Sequence, residues 1–259
     1  MTYPLIRQGD KLPAVGVLQK LLNARVASSL TPDGDFGPRT KAAVQEFQRT
    51  HTPLVPDGAV GINTWPRIKY LENNLNIVDC VDVFDPDLYA LETQDIRRSG
   101  GNPLLMGGAS NGVEQAITNI LTSVPANSVF ILRFHGHGAP GVAGVSDGHG
   151  SIPGEHLSSI HAGNWTTIEP HVRRLRTIFG PYGCIQFMHC ETGNGPQGRD
   201  ILQKVAIATD VPATGGIRTQ YGGGLRTFRF EGPTYTAFPS GDLQSWSRAR
   251  PEFPGMTVP

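Results

Sequence analysis

Over the first 70 positions, apolar residues recur at spacings of three and four, the period of a helix that buries one face. Val15, Leu18, Leu21 and Leu22 mark a helix over roughly 13–26. Ala43, Val44 and Phe47 mark a second, and Trp65, Ile68 and Leu71 a third. Each of the last two is preceded by a copy of one pattern, D-G-x-[F/V]-G-x-x-T, once at Asp33–Thr40 and again at Asp57–Thr64. Asp-Gly is a turn dipeptide: Asp bonds its own backbone and Gly accepts positive φ. The apolar residue that follows, Phe36 or Val60, folds the turn onto a core. Gly37 and Gly61 are expected where backbones approach closely, and Pro38 suits a first helical turn. The pattern predicts a three-helix, all-α module over residues 1–72.

From about residue 100 the pattern alternates. A helical face over 111–124 (Val113, Ala116, Ile117, Ile120, Leu121) leads to an apolar β-rich run over 128–134. A helix over 164–178 precedes a second apolar run over 183–188. A helix over 198–209 then precedes a short strand from Val211. Strands alternating with helices predict a three-layer α/β domain with a mostly parallel sheet, over residues 76–259. Active sites of such sheets lie at the carboxyl ends of the strands. The stretch 71–96 holds seven acidic residues and no Lys or Arg. It reads either as a connector, with Cys80 incidental, or as the first part of the second domain. Residues 221–259 carry no legible signal.

Composition narrows the function. Lys+Arg and Asp+Glu are 22 each, so nothing points to nucleic acid as a partner. No transmembrane run exists, and Met1-Thr2-Tyr3-Pro4 has no apolar leader behind it. No cofactor motif is present. Of the three cysteines, Cys80, Cys184 and Cys190, at least one is expected to be a free thiol.

The first 70 residues closely resemble the peptidoglycan-binding type 1 domain. That pattern is carried by Val17–Leu22, Asp33, Gly34, Phe36, Gly37, Thr40, Phe47, Gln48, Asp57, Gly58, Gly61, Thr64 and Trp65. The resemblance implies a non-catalytic module with peptidoglycan as partner. It implies a bacterial wall address: cell wall, periplasm or exterior, reached by a route other than the Sec signal. Delivery as an effector by a specialised secretion machine or release by phage lysis would serve, and without one the protein stays cytoplasmic.

The second domain ends one apolar run in His135-Gly136-His137-Gly138 and the next in His189-Cys190-Glu191. A thiol becomes a nucleophile near neutral pH when imidazole supplies a base or a positive neighbour. A Gly after the His can offer its N–H to a developing oxyanion. These runs resemble the caspase-like cysteine peptidases, in which one apolar strand ends in His-Gly and another in the nucleophile. The resemblance implies His137 as general acid/base, Cys190 as nucleophile, Gly138 as oxyanion donor, and a peptide or protein substrate. The expected function is therefore a cell-wall-targeted cysteine hydrolase. Three alternatives stand beside it. His135 and His137, on one face of an extended segment, suit zinc ligation and a zinc-dependent wall peptidase or amidase, with His149, His156 and His161 nearby. Tyr182-Gly183-Cys184-Ile185 is close to the L,D-transpeptidase signature, with Cys184 as nucleophile; His135 is the alternative base. The third is a non-catalytic wall-binding protein on a caspase-like scaffold.

Overall fold

A computed structural model of the chain describes residues 4–26, 28–51, 53–68, 76–107, 112–146 and 157–248. Leu71, His149 and His156 lie outside the described residues. The chain divides into two compact units, with boundaries between Leu75 and Asn76 and between Gly241 and Asp242, the segment from Asp242 grouping with the N-terminal one.

The first unit contains α1 (Pro13–Arg25), α2 (Pro38–Thr50) and the short α3 (Trp65–Ile68). The apolar residues predicted to face inward do so: Val15, Leu18, Leu22, Val44, Phe47, Trp65 and Ile68 are buried. The two Asp-Gly turns are held by one device used twice. Gln19, buried on α1, donates from Nε2 to Asp33 Oδ1 (2.8 Å), Asp35 O (3.0 Å) and Thr40 Oγ1 (3.1 Å), and its Oε1 accepts from the Gly34 N–H (3.0 Å). Gln48, buried on α2, donates to Asp57 Oδ1 (2.9 Å), Ala59 O (2.8 Å) and Thr64 Oγ1 (3.3 Å) and accepts from the Gly58 N–H (2.9 Å). The motif residues Asp, Gly and Thr are thus the partners of a buried amide. Gly34 and Gly58 both take φ of +75°, where side chains are strained. The close approach expected at Gly37 is absent, since a Cβ there meets nothing within 4 Å; at Gly61 a Cβ would meet Leu5 Cδ1 at 3.3 Å.

The second unit is an α/β domain. Its elements are β1 (Asn76–Asp82), α4 (Pro86–Arg98), β2 (Leu104–Met106), α5 (Val113–Ser123), β3 (Val129–His135), α6 (Trp165–Arg173), β7 (Phe179–Phe187), α7 (Gly195–Thr209), β8 (Ala213–Gly216) and β9 (Thr234–Ala237). A small antiparallel sheet, β4 (Gly138–Ala139), β5 (Val142–Gly144) and β6 (Ser159–His161), follows β3. The main sheet has the order β2-β1-β3-β7-β8-β9, parallel except for β9, which pairs antiparallel with β8. Sequence patterning anticipates β3, β7, β8 and the helices α5, α6 and α7, but not the small sheet or β9. A further short helix, α8 (Leu243–Arg248), follows Gly241, where this unit ends.

Every residue of β3 is buried, because both faces of the sheet are covered. One face is apolar: Val78, Cys80, Leu132, Phe134, Ile185 and Phe187 share a core with α5, α6 and α7. The acidic stretch proves to be the start of this domain rather than a connector. It forms β1 and α4, and it places Cys80 in the core and Asp79 and Glu92 in the interior. On the other face, Arg133 Nη1 donates to Asp79 Oδ1 (3.1 Å) and its Nε to Gln186 Oε1 (3.1 Å). A buried charge is stable only when paired in this way. The ion pairs hold the Asp79 carboxyl below its ordinary range even though burial pushes it the other way.

Candidate functional site

β3 and β7 are neighbours and run parallel, so their carboxyl ends open on the same edge of the sheet. The turn after β3 is tight. Gly136 has φ of +153°, and a Cβ there would lie 2.9 Å from Asp82 Cβ. Two residues on, Gly138 packs directly on the turn after β7: a Cβ would lie 2.6 Å from His189 Cβ and 2.9 Å from the Cys190 carbonyl oxygen. Only glycine fits there, and this contact brings the two loops together. The Gly144 N–H donates to His137 O (3.0 Å), which makes Gly138 and Ala143 a non-hydrogen-bonded pair. The Gly138 N–H therefore points away from β5.

His137 is half exposed, with 56% of its side chain open to solvent. Its Nε2 lies 2.8 Å from Asp85 Oδ2. A carboxylate only accepts, so Nε2 carries the proton and Nδ1 is the lone-pair nitrogen of the neutral ring. Asp85 is fixed by its other oxygen, which accepts from the Asp87 (3.0 Å) and Leu88 (3.1 Å) N–H groups as the N-cap of α4. The bond to His137 holds the Asp85 carboxyl below the usual carboxylate range. Phe84 stands edge-on to the His137 ring at 6.4 Å.

Cys190 is partly exposed. Its Sγ–H donates to Gln220 O (3.3 Å), and the sulfur accepts from the Gln220 N–H (3.4 Å). The next residue, Glu191, has φ of +54°, an uncommon conformation for a side chain other than Gly, Asn or Asp. It is over-determined by its neighbours: Glu191 N–H donates to Arg218 O (3.0 Å) and Asn194 N–H to Glu191 O (2.7 Å). Gly193 lies against Gly215, whose oxygen would be 2.6 Å from a Cβ. The chain thus bends sharply behind the thiol.

The alternatives from sequence fall elsewhere. His135 does not share a face with His137. It is buried, with Nε2–H donating to Asp79 Oδ1 (3.0 Å) and Nδ1 lying 3.8 Å from Glu92 Oε1, and it belongs to the interior ion-pair network. Its side chain is fully buried, unlike that of His137. Among the described residues no group of three or more His, Cys, Asp or Glu side chains is arranged to hold a metal. His161 caps a short helical turn through the Gly163 N–H. Cys184 is buried inside β7, and burial pushes its thiol up to about 12, so it stays protonated and unreactive. His189 is fully buried, donates from Nε2 to Gly144 O (2.6 Å), and burial lowers it to about 3.

Asp85 and Gln220 escape the sequence. Asp85-Pro86 is a helix-start pattern, but nothing local ties it to a histidine 52 positions away. Gln220 touches the thiol through backbone atoms, which no residue type announces.

In the first unit, a groove of about 510 Å³ is lined by Pro53, Leu54, Val55, Ile62, Pro66, Asn63 and Arg67. Val55 and Ile62 are exposed there at 70% and 48%.

Residues 11–68 match the family described as putative peptidoglycan binding domain. The N-terminal unit carries that domain. A relative from Kitasatospora aureofaciens, described as an uncharacterized protein in the bpoA1 3' region, is 47% identical over 68 residues, 26% of this chain and 57% of that protein. The chain therefore spans a little over half of that relative. Among solved structures, the crystal structure of Burkholderia AP3 phage endolysin is 26% identical, with 49% of this chain and 40% of that chain covered and a TM-score of 0.24. Among the described residues, no helix is long and apolar enough to cross a membrane.

Proposed function

We propose that this is a cell-wall-targeted cysteine hydrolase of caspase-like type, which docks on peptidoglycan and cleaves an amide bond in a protein or a wall peptide. The peptidoglycan binding domain supports the address, and the exposed groove beside Ile62 is the proposed docking surface. One observation carries the chemistry: a half-exposed imidazole and a partly exposed thiol stand on the loops that follow two adjacent parallel strands, and Gly138 packs on the Cys190 carbonyl.

In this mechanism His137 Nδ1 takes the Cys190 proton. The thiolate sulfur attacks the scissile carbonyl carbon, and the Gly138 N–H stabilises the oxyanion. The imidazolium returns its proton to the leaving amine, and water then hydrolyses the thioester with His137 again as base. A substrate engaging Cys190 must replace the weak contacts between its sulfur and the Gln220 backbone.

The test has two arms. Co-sedimentation with purified sacculi compares the parent protein with Ile62→Asp, and binding is expected to fall in the variant. Hydrolysis of a peptide library compares the parent with Cys190→Ala and His137→Ala, and both variants are expected to be inactive. Binding without hydrolysis by the parent would establish instead a wall-binding protein on an inactive scaffold.

A further inference from the structure

We infer that Asp85 is a positioning residue for His137, completing a Cys190–His137–Asp85 relay; the inference rests on the His137–Cys190 pair proposed above. Three observations carry it. The Nε2–Oδ2 separation is 2.8 Å, a charge-assisted hydrogen bond in length. Asp85 cannot swing away freely, because Oδ1 is engaged by two backbone N–H groups at the start of α4. Its carboxylate therefore reaches His137 from a rigid element rather than from a mobile loop. Finally, the same helix is anchored along its length. Glu92 faces His135 in the interior (3.8 Å), and Asp95 accepts from the Gly224 N–H and from Thr227 Oγ1 (2.9 Å).

The consequence is chemical. With Nε2–H committed to Asp85, the ring presents Nδ1 as its basic nitrogen in one fixed tautomer. The negative charge on Asp85 favours the imidazolium that forms when Cys190 loses its proton, so the thiolate–imidazolium pair is stabilised. Glu92, the other carboxylate interacting with His137, acts in the same sense, whereas His189, which burial lowers to about 3, is uncharged near neutral pH and does not oppose it. Asp85 is the one with a hydrogen bond to the ring.

The experiment measures the rate of Cys190 alkylation by iodoacetamide against pH in the full chain, by peptide mass spectrometry. The proteins are the parent, Asp85→Asn, Asp85→Ala and His137→Ala. Asn retains the N-cap role, being as good a cap as Asp, so Asp85→Asn separates charge from helix stability. The inference expects the Asp85→Asn profile to move to higher pH by about half a unit or more, a discounted value for a solvent-exposed pair. Asp85→Ala should show the same shift together with a lower melting temperature. If His137→Ala moves the profile but Asp85→Asn superimposes on the parent, the inference fails while the pair stands. If neither variant moves it, the pair itself fails and the inference with it.

Discussion

Gln48 grips the second Asp-Gly turn with the same four hydrogen bonds by which Gln19 grips the first. Each amide is buried, so replacing Gln48 by Leu leaves the Gly58 N–H and the Ala59 carbonyl without their partner. Unsatisfied buried groups of this kind cost about 1–3 kcal/mol. Hydrogen exchange of the full chain should show faster exchange across residues 53–68 in Gln48→Leu, with the β3 and β7 amides unchanged.

That clasp also shows what was legible in the sequence. Asp33, Gly34, Thr40 and their second copies could be read as a repeated turn and as a family signature, because turn chemistry is local. Their shared partner could not, since Gln19 and Gln48 sit on preceding helices, 14 and 9 residues away. The same limit appears in the sheet domain. Apolar runs gave β3 and β7, and the ends of those runs gave His137 and Cys190. The strand β1 is obscured because Asp79 and Asp82 interrupt its apolar run; Asp79 does so because Arg133 and His135 pair with it across the sheet. His135 looked equivalent to His137 from two-residue spacing. The positive φ at Gly136 and the buried carboxylate of Asp79 set them apart.

Gly138 and Gly37 offer a matched contrast. A methyl at Gly138 would fall 2.6 Å from His189 Cβ and 2.9 Å from Thr192 Oγ1, whereas at Gly37 it would meet nothing within 4 Å. Gly138→Ala is expected to cost about 2 kcal/mol through overpacking, a fall of about 4–8 °C in melting temperature, and Gly37→Ala under about 0.5 kcal/mol. Calorimetry of the two variants checks the contrast.

His189 makes the sheet domain acid-sensitive. Burial lowers its pKa from 6.5 to about 3, so the unfolded chain takes up this proton first. Stability from this group is fully present above pH 6.5 and is lost as pH falls from there towards 3. By pH 4 the loss is about 3 kcal/mol. Urea midpoints at pH 7 and pH 4 should differ more in the parent than in His189→Gln, where this proton linkage is gone.

The three thiols should separate cleanly by reactivity. Burial raises Cys80 well above its ordinary value and Cys184 to about 12, while Cys190 is partly exposed. At pH 8 in the folded protein, iodoacetamide is expected to label Cys190 at least about tenfold faster than either buried thiol. Peptide mapping of a time course gives the three rates directly.

In the proposed activity the Cys190 sulfur cuts an amide bond at the cell wall. The direct measurement is the appearance of new amino termini from purified sacculi, followed by mass spectrometry, with the full chain and with Cys190→Ala. Release by the parent and a loss of at least about 10³-fold in the variant are expected. Equal release by the two proteins would contradict this activity.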